Sequence, residues 1–507
     1  MKKTIAILMF TTVLLSCMKD LGNYEYHDIR DFQISGIESR YSVFISDRLR
    51  IDARTDLGQG EYSAVWFMEL KDTSGGEVET YADTISRDLV LDLPFKYTVG
   101  TYTLHLKVTD RQTGVSKYAQ TTVSAVTRFY EGYYILKETP SGDTEMDFHA
   151  LDGEVLKDVL TTMTGSPLEG APKTLSYLND YSYLDEKTGQ NVVGSLLIPL
   201  SDKGLQTLSL IDMSQVRTYS QWFFEEQNAY PVEKVHHFNN LCFCYGMFTE
   251  NGLFTNYQCA FWEMYSTGKL STTPNIMSDG TMEYASSADV CYFEGAAYCH
   301  DPLNDRFNYV DLNGTCVPVQ LSSGSDELMF LGGIRDEKNY LVAVYQRQDG
   351  SRYWKYLQAD ENKLSLVYQG EFASGDVFEK ASDYAVCRMG GTYLYALSGQ
   401  DIYALNPANG YNVKLQFAGR PVGEISYFDT MFMITEDGSG DYNQFVMAVQ
   451  DGDSYSVAFY DMIGGEPISG QEPVRVLEGK GRVKTLQHTS PQKQSNGVGT
   501  SSYSLHY

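Results

Sequence analysis

Seven short apolar segments recur through the C-terminal three-quarters of this 507-residue chain, most of them about 50 to 60 residues apart. They begin at Gly132-Tyr-Tyr-Ile-Leu136, Asn191-Val-Val-Gly-Ser-Leu-Leu-Ile198, Asn240-Leu-Cys-Phe-Cys-Tyr245, Val290-Cys-Tyr-Phe293, Tyr340-Leu-Val-Ala-Val-Tyr345, Gly391-Thr-Tyr-Leu-Tyr-Ala-Leu397 and Thr430-Met-Phe-Met-Ile434. Gly, Asn and Asp turns separate them, and no long amphipathic helix intervenes. After Leu397 the turn Ser398-Gly-Gln-Asp401 leads into Ile402-Tyr-Ala-Leu405 and Asn406-Pro-Ala-Asn-Gly410, a hairpin with an ending common in propeller blades. Four-stranded blades take about 40 to 50 residues, and four to eight of them close a ring. Residues 127–488 therefore read as a seven-bladed β-propeller, with a pair of further sandwiches as the alternative. A ring needs its last blade closed by strands from both ends of the repeat region, or an edge is left unpaired. Val474-Arg-Val-Leu477 or Arg482-Val-Lys-Thr-Leu486 suits that role, beside the strand at Tyr133. The polar residues 489–507 read as a flexible tail.

Residues 23–126 read as a separate β-sandwich. In Gly100-Thr-Tyr-Thr-Leu-His-Leu-Lys-Val-Thr-Asp110 the apolar Tyr102, Leu104, Leu106 and Val108 alternate with polar residues, the period of a strand buried on one face. Asp110-Arg-Gln-Thr-Gly114 supplies a turn, and Val115 to Val123 the return strand. Trp66, in Val65-Trp66-Phe67-Met68, is a natural core residue between two packed sheets.

The chain opens with Lys2 and Lys3, then a mostly apolar run from Thr4 to Leu15. Twelve residues of helix would reach about 18 Å, against a hydrocarbon core of roughly 30 Å, so the run is a processing segment rather than a span. Leu14-Leu15-Ser16-Cys17 resembles the lipobox of bacterial lipoproteins. That resemblance implies a signal peptide over residues 1–16, a lipid on Cys17 and a short linker over residues 17–22. Lys19-Asp20 loosely resembles the signal that sends such lipoproteins to the cell surface. Asn23 follows Cys17 so closely that the linker reaches only about 20 Å, which would hold the sandwich near the bilayer.

Gly100-Thr-Tyr running into Val108-Thr-Asp110 resembles the end of a PKD domain, an immunoglobulin-like sandwich. The opening Gly22-Asn23-Tyr24-Glu25-Tyr26-His27-Asp28 resembles the start of the PKD-like lipoproteins of Bacteroidetes. The resemblance implies an accessory outer-membrane protein, exposed at the cell surface, working beside a SusC/SusD-type importer and taking a glycan or peptide ligand.

Loss of residues 1–16 leaves 37 basic against 66 acidic residues, a formal charge of −29. Such a surface repels nucleic acid and anionic lipid. The 39 tyrosines suit a strand-rich fold and supply either core and cross-strand partners or stacking surfaces for a ligand.

No Gly-x-Ser-x-Gly elbow, phosphate-cradling loop or dinucleotide fingerprint occurs, so the sequence predicts a non-enzymatic protein without a cofactor other than the lipid. The other seven cysteines, Cys242, Cys244, Cys259, Cys291, Cys299, Cys316 and Cys387, are odd in number and read as buried thiols, although export permits disulfides. No CxxC or HExxH spacing points to zinc. His236 and His237, adjacent on a strand, point to opposite sides. Asp437-Gly-Ser-Gly-Asp441 begins like a calcium loop, but Ala448 stands where the closing glutamate belongs, so it reads as a hairpin turn. Asp301-Pro-Leu-Asn-Asp305 is a weaker version of the same pattern. The catalytic alternative is a propeller glycoside hydrolase or lyase, marked by acidic or histidine side chains converging on the central funnel with raised carboxyl pKa values. A structural spacer or adhesion module would have no such pocket.

Overall fold

A computed structural model describes residues 31–489 and 504–505, apart from 46, 73–78, 98–99, 130, 186–189, 226–231, 240–243, 257–267, 288, 294–295, 312–313, 320–325, 336–337, 389–390 and 434–441. The chain is all-β and divides into two compact units, Met1–Val126 and Thr127–Tyr507. Among the described residues no helix is long and apolar enough to cross a membrane.

The first unit is a sandwich. Its five-stranded sheet runs in the order Arg40–Phe44, Ser116–Val126, Gly100–Asp110, Tyr62–Asp72, Glu79–Ser86, with only the first pair parallel. Period-two alternation in Gly100–Asp110 places Leu104, Leu106 and Val108 in the core, wholly buried. Leu49 and Ile51 of a two-stranded sheet, Arg48–Ile51 with Leu91–Pro94, join the same core. Trp66 is fully buried there, and its indole N–H donates to the Leu89 carbonyl at 3.1 Å, so its one polar atom is satisfied. The turn after Gly100–Asp110 is held by Asp110, which accepts from the Gln112 amide at 2.8 Å and from the Thr113 hydroxyl at 3.0 Å.

The second unit is a seven-bladed propeller. Six blades follow chain order and start at the inner strands Pro172–Asp185, Val232–Asn239, Val290–Phe293, Glu327–Arg335, Asp383–Val386 and Glu424–Met433. These are blades 2 to 7. Blade 1 is composite: Gly132–Glu138, Thr144–Ala150 and Val155–Leu156 come from the start of the unit, and Arg482–Thr489 adds on their inner side. Tyr133 pairs with His488, and Arg482–Thr489 lies between Glu424–Met433 of blade 7 and Pro172–Asp185 of blade 2. The second of the two closing segments expected from the sequence is thus the one used. The first, as Arg475–Lys480, is the outer strand of blade 7.

The count of seven matches the recurrence in the sequence, but its phase differs. The segments at Gly132, Asn191, Tyr340 and Gly391, and Cys244-Tyr245 of the segment at Asn240, belong to the second strand from the axis, not the first. That strand is covered by neighbouring blades on both faces and paired on both edges, so it carries the longest apolar run. Leu341 to Tyr345 are all buried, whereas the outer strand Lys363–Glu371 of the same blade is mostly exposed. The tail expected over residues 489–507 is described at two places: Thr489 is the buried end of the closing strand, paired with Gly132, and Ser504–Leu505 pairs with Phe432–Met433.

Tyrosines bind blade to blade. Tyr298 of blade 4 donates its hydroxyl to the Glu361 carbonyl of blade 5, Tyr356 of blade 5 to the Thr392 carbonyl of blade 6 at 3.1 Å, and Tyr395 of blade 6 to the Gly465 carbonyl of blade 7 at 2.7 Å. Tyr455 of blade 7 closes the series on the Asp147 carboxylate of blade 1 at 2.7 Å. Each ring is buried, so the side chain adds apolar area between radial sheets and its one polar atom satisfies a backbone or carboxylate group of the next. These four tyrosines thus serve as blade partners; among the described residues only Tyr118 and Tyr411 stand among the exposed large apolar side chains.

Candidate central-channel site

Charged residues on or beside the inner strands of the propeller meet around a central cavity of about 260 Å³. Lys484 comes from blade 1, Lys173 from blade 2, Asp289 from the residue just before the inner strand of blade 4, Asp383 from the first residue of blade 6, and Asp429 from blade 7. Glu233 and Lys234 of blade 3 act on the same group of charges. Blade 5 contributes Gly332 and Gly333 instead. A Cβ on Gly332 would lie 2.8 Å from Val386 of blade 6, and one on Gly333 would lie 3.3 Å from Cys291 of blade 4. The paired glycines therefore let blades 4, 5 and 6 approach closely, which brings the carboxyls of Asp289 and Asp383 within each other's field.

Four of these charges neutralise one another in pairs. Lys173 Nζ lies 2.6 Å from Glu233 Oε1, and Arg388 Nη2 lies 2.5 Å from Asp429 Oδ2. Arg388 is also fixed by its backbone, whose N–H donates to Thr430 Oγ1 and whose carbonyl accepts from Arg335. Four others, Lys234, Lys484, Asp289 and Asp383, have no ion-pair partner within 4 Å among the described residues. Asp289, Asp383 and Lys484 keep contact with solvent in the channel although protein surrounds them.

This crowding sets the proton affinities. Burial pushes the Asp289 carboxyl up to about 6, with Lys234 opposing and the negative Asp383 and Glu233 adding to the rise. Burial likewise raises Asp383 to about 6, against the Tyr384 amide that hydrogen-bonds it at 2.8 Å; Asp429 raises it further and Lys484 opposes. Burial, then Arg388, holds the Lys234 ammonium below its ordinary value. The Cys291 thiol beneath Asp289 is raised to about 12 by burial and by that carboxylate, so it stays protonated and is no nucleophile.

The PKD-like family model matches residues 17–172. A PKD-like family domain covers that stretch. The PKD-like segment thus takes in the sandwich and the start of the propeller. No curated protein matches the sequence. Among solved structures, a quinoprotein alcohol dehydrogenase-like protein of Bacteroides thetaiotaomicron is similar at 9% identity, with 89% of this chain and 96% of that one covered and a TM-score of 0.37. The WD40 domain of SCAP from fission yeast covers 71% of this chain and 92% of its own at 9% identity and a TM-score of 0.38. Virginiamycin B lyase of Staphylococcus aureus covers 64% and 94% at 10% identity and a TM-score of 0.33.

The residues singled out in the sequence are placed as follows. Cys17, Lys19-Asp20, the opening motif 22–28, Cys242, Cys259 and the loop Asp437 to Asp441 lie outside the described residues. Cys291, Cys299, Cys316 and Cys387 are buried free thiols. Asp301 is a turn anchor: its carboxylate accepts from the Ala285 and Asn304 amides and pairs with Arg306 at 3.3 Å. The His236 ring packs edge-on against Tyr292 at 5.1 Å. Among the described residues no group of three or more His, Cys, Asp or Glu side chains is placed to hold a metal ion.

Asp289, Asp383, Lys234 and Lys484 escaped the reading of the sequence. Their signal was positional. Ser287-Ala-Asp289-Val-Cys291 and Ala381-Ser-Asp383-Tyr-Ala both put an aspartate after two small residues, at the start of an inner strand. Superposing the repeats on inner strands rather than on the apolar second strands would align them.

Proposed function

We propose that this protein is a lipid-anchored capture protein of the outer-membrane surface, accessory to a SusC/SusD-like importer, and that its central channel receives a glycan or peptide ligand without transforming it. The observation that carries this reading is the channel itself: a solvent-accessible cavity lined by side chains from several blades, where Lys484, Asp289 and Asp383 have no ion-pair partner among the described residues. Sites for small ligands are concave and carry a few convergent polar groups, and this is such a place. The lipobox-like Leu14-Leu15-Ser16-Cys17 and the PKD-like domain over residues 17–172 support the anchor and the accessory role. Affinity capture of the tagged protein from outer membranes in mild detergent tests the partnership. Recovery of a SusC/SusD-like pair is expected, and recovery of the lipoprotein alone would count against it.

A second reading is favoured by one observation. Asp289 and Asp383 converge on the channel with carboxyls near 6, the property expected of a general acid and base. On that reading the protein is a glycoside hydrolase or lyase. Asp289→Asn would then abolish turnover of an oligosaccharide while leaving its binding in place; no turnover by the wild type across a glycan panel would dismiss it.

A further inference from the structure

We propose that the channel is built for a small zwitterion, an amino acid or short peptide with a free ammonium and a free carboxylate, held with its ammonium toward blades 4 and 6 and its carboxylate toward blades 1 and 3. This rests on the reading of the channel as a ligand site and names the class of ligand.

Lys173 is neutralised by Glu233, and Asp429 by Arg388. The remaining charges are sorted by position. Of the four without an ion-pair partner among the described residues, Lys484 lines the cavity from blade 1 and Lys234 of blade 3 acts on the same charges, while Asp289 and Asp383 line it from blades 4 and 6. The lumen is therefore polarised across its width, although the eight charges named sum to zero. A neutral sugar gains nothing from that polarity, and an anion or cation alone would satisfy only one side. A zwitterion satisfies both, and charge-assisted hydrogen bonds in a partly desolvated lumen are the strong ones.

Other features agree. The cavity, at about 260 Å³, falls just below the roughly 300–1,000 Å³ of ordinary small-molecule sites, which suits an amino acid, a dipeptide or one end of a longer chain. Tyr298, Tyr356, Tyr395 and Tyr455 are taken up between blades and offer no stacking face to a sugar. The two aspartates have no ion-pair partner within 4 Å among the described residues and crowd one another, so an arriving ammonium relieves a repulsion already present. Relief of that kind is linked to proton release. Asp289 faces Lys234 and Glu233 from blade 3, Asp383 from blade 6 and the Cys291 thiol from its own strand; Asp383 faces Asp429 and Lys484. With both carboxyls near 6, affinity for the ammonium falls as pH drops through that value.

Calorimetric titration of the full-length protein in mild detergent tests this with alanyl-alanine, its N-acetylated form, its C-amidated form and maltose as probes. Alanyl-alanine is expected to bind, and blocking either end to cost about 10-fold or more, the scale of a hydrogen bond to a charged group. Asp289→Asn with Asp383→Asn should remove the discrimination between free and acetylated N-termini. Lys484→Gln with Lys234→Gln should remove that between free and amidated C-termini. Maltose binding that is lost in the lumen variants would overturn the zwitterion and keep the channel as the site. Binding of any probe that is indifferent to all four substitutions, or binding of none, would overturn both. Retained thermal unfolding of each variant shows that a lost affinity is not a lost fold.

Discussion

The hydroxyl of Tyr455 donates to the carboxylate of Asp147 at 2.7 Å across 308 residues of sequence, joining the last blade of the ring to the first. Asp147 is wholly buried, and its other oxygen takes Lys137 Nζ at 2.6 Å and the Asp158 amide at 2.9 Å. The bond supplements the strand pairing within blade 1, Gly132–Glu138 with Arg482–Thr489, by which the chain leaving blade 7 closes the ring. Removing one partner of a bond to a buried charge leaves the other unsatisfied, which costs more than the bond is worth in isolation.

Tyr455→Phe should therefore lower unfolding free energy by about 2 kcal/mol, while Tyr395→Phe, which releases only a neutral carbonyl of Gly465, should cost about 1 kcal/mol. Urea denaturation of the two variants gives the order. An equal or reversed cost would show that the closing bond has no special weight.

Gly479→Ala tests the same latch from its other side. A Cβ there would lie 2.3 Å from the Tyr455 ring, so the ring has to move and its hydroxyl leaves Asp147. Overpacking of this kind costs about 1–3 kcal/mol. Combined with Tyr455→Phe, the two losses should fall short of their sum, since both remove one contact. Full additivity would separate the packing from the hydrogen bond.

Much of this was legible in advance. Period-two alternation placed Leu104, Leu106 and Val108 in the sandwich core, and the seven-fold recurrence counted the blades. The phase was not legible, because hydrophobic patterning reports burial and the most buried strand of a blade is the second. For the same reason the channel residues stayed hidden: Asp289, Asp383 and Lys484 are charged, singly placed and brought together only by ring closure. The tyrosines showed their type but not their partners, which lie a whole blade further along.

His488 predicts a dependence of stability on acid. Burial, then Arg475, lowers its pKa to about 3 from an ordinary 6.5. The unfolded chain takes up this proton near 6.5 and the folded chain does not, so the contribution is intact above that value and is lost as pH falls from 6.5 toward 3, by up to about 1.4 kcal/mol per unit. Urea denaturation at pH 7 and pH 5 should show a smaller loss for His488→Gln than for the wild type. An equal loss would assign the acid sensitivity elsewhere.

Asp289 predicts the opposite slope. Its raised carboxyl means that ionisation opposes folding, a cost absent below the ordinary carboxylate value near 3.8 and fully present above about 6. Asp289→Asn should raise the melting temperature at pH 7.5 and leave it unchanged at pH 3.5. A lower melting temperature at pH 7.5 would mean that the carboxylate is paired after all, and that the channel holds no unmet charge.

The central claim is that ligand enters the channel. Hydrogen–deuterium exchange of the full-length protein, with and without saturating alanyl-alanine, reads this most directly. Slower exchange is predicted in the segments carrying Asp289, Gly332-Gly333, Asp383 and Lys484, with residues 31–126 unchanged. Protection confined to the sandwich or to outer strands such as Lys363–Glu371, or no protection anywhere, would contradict it.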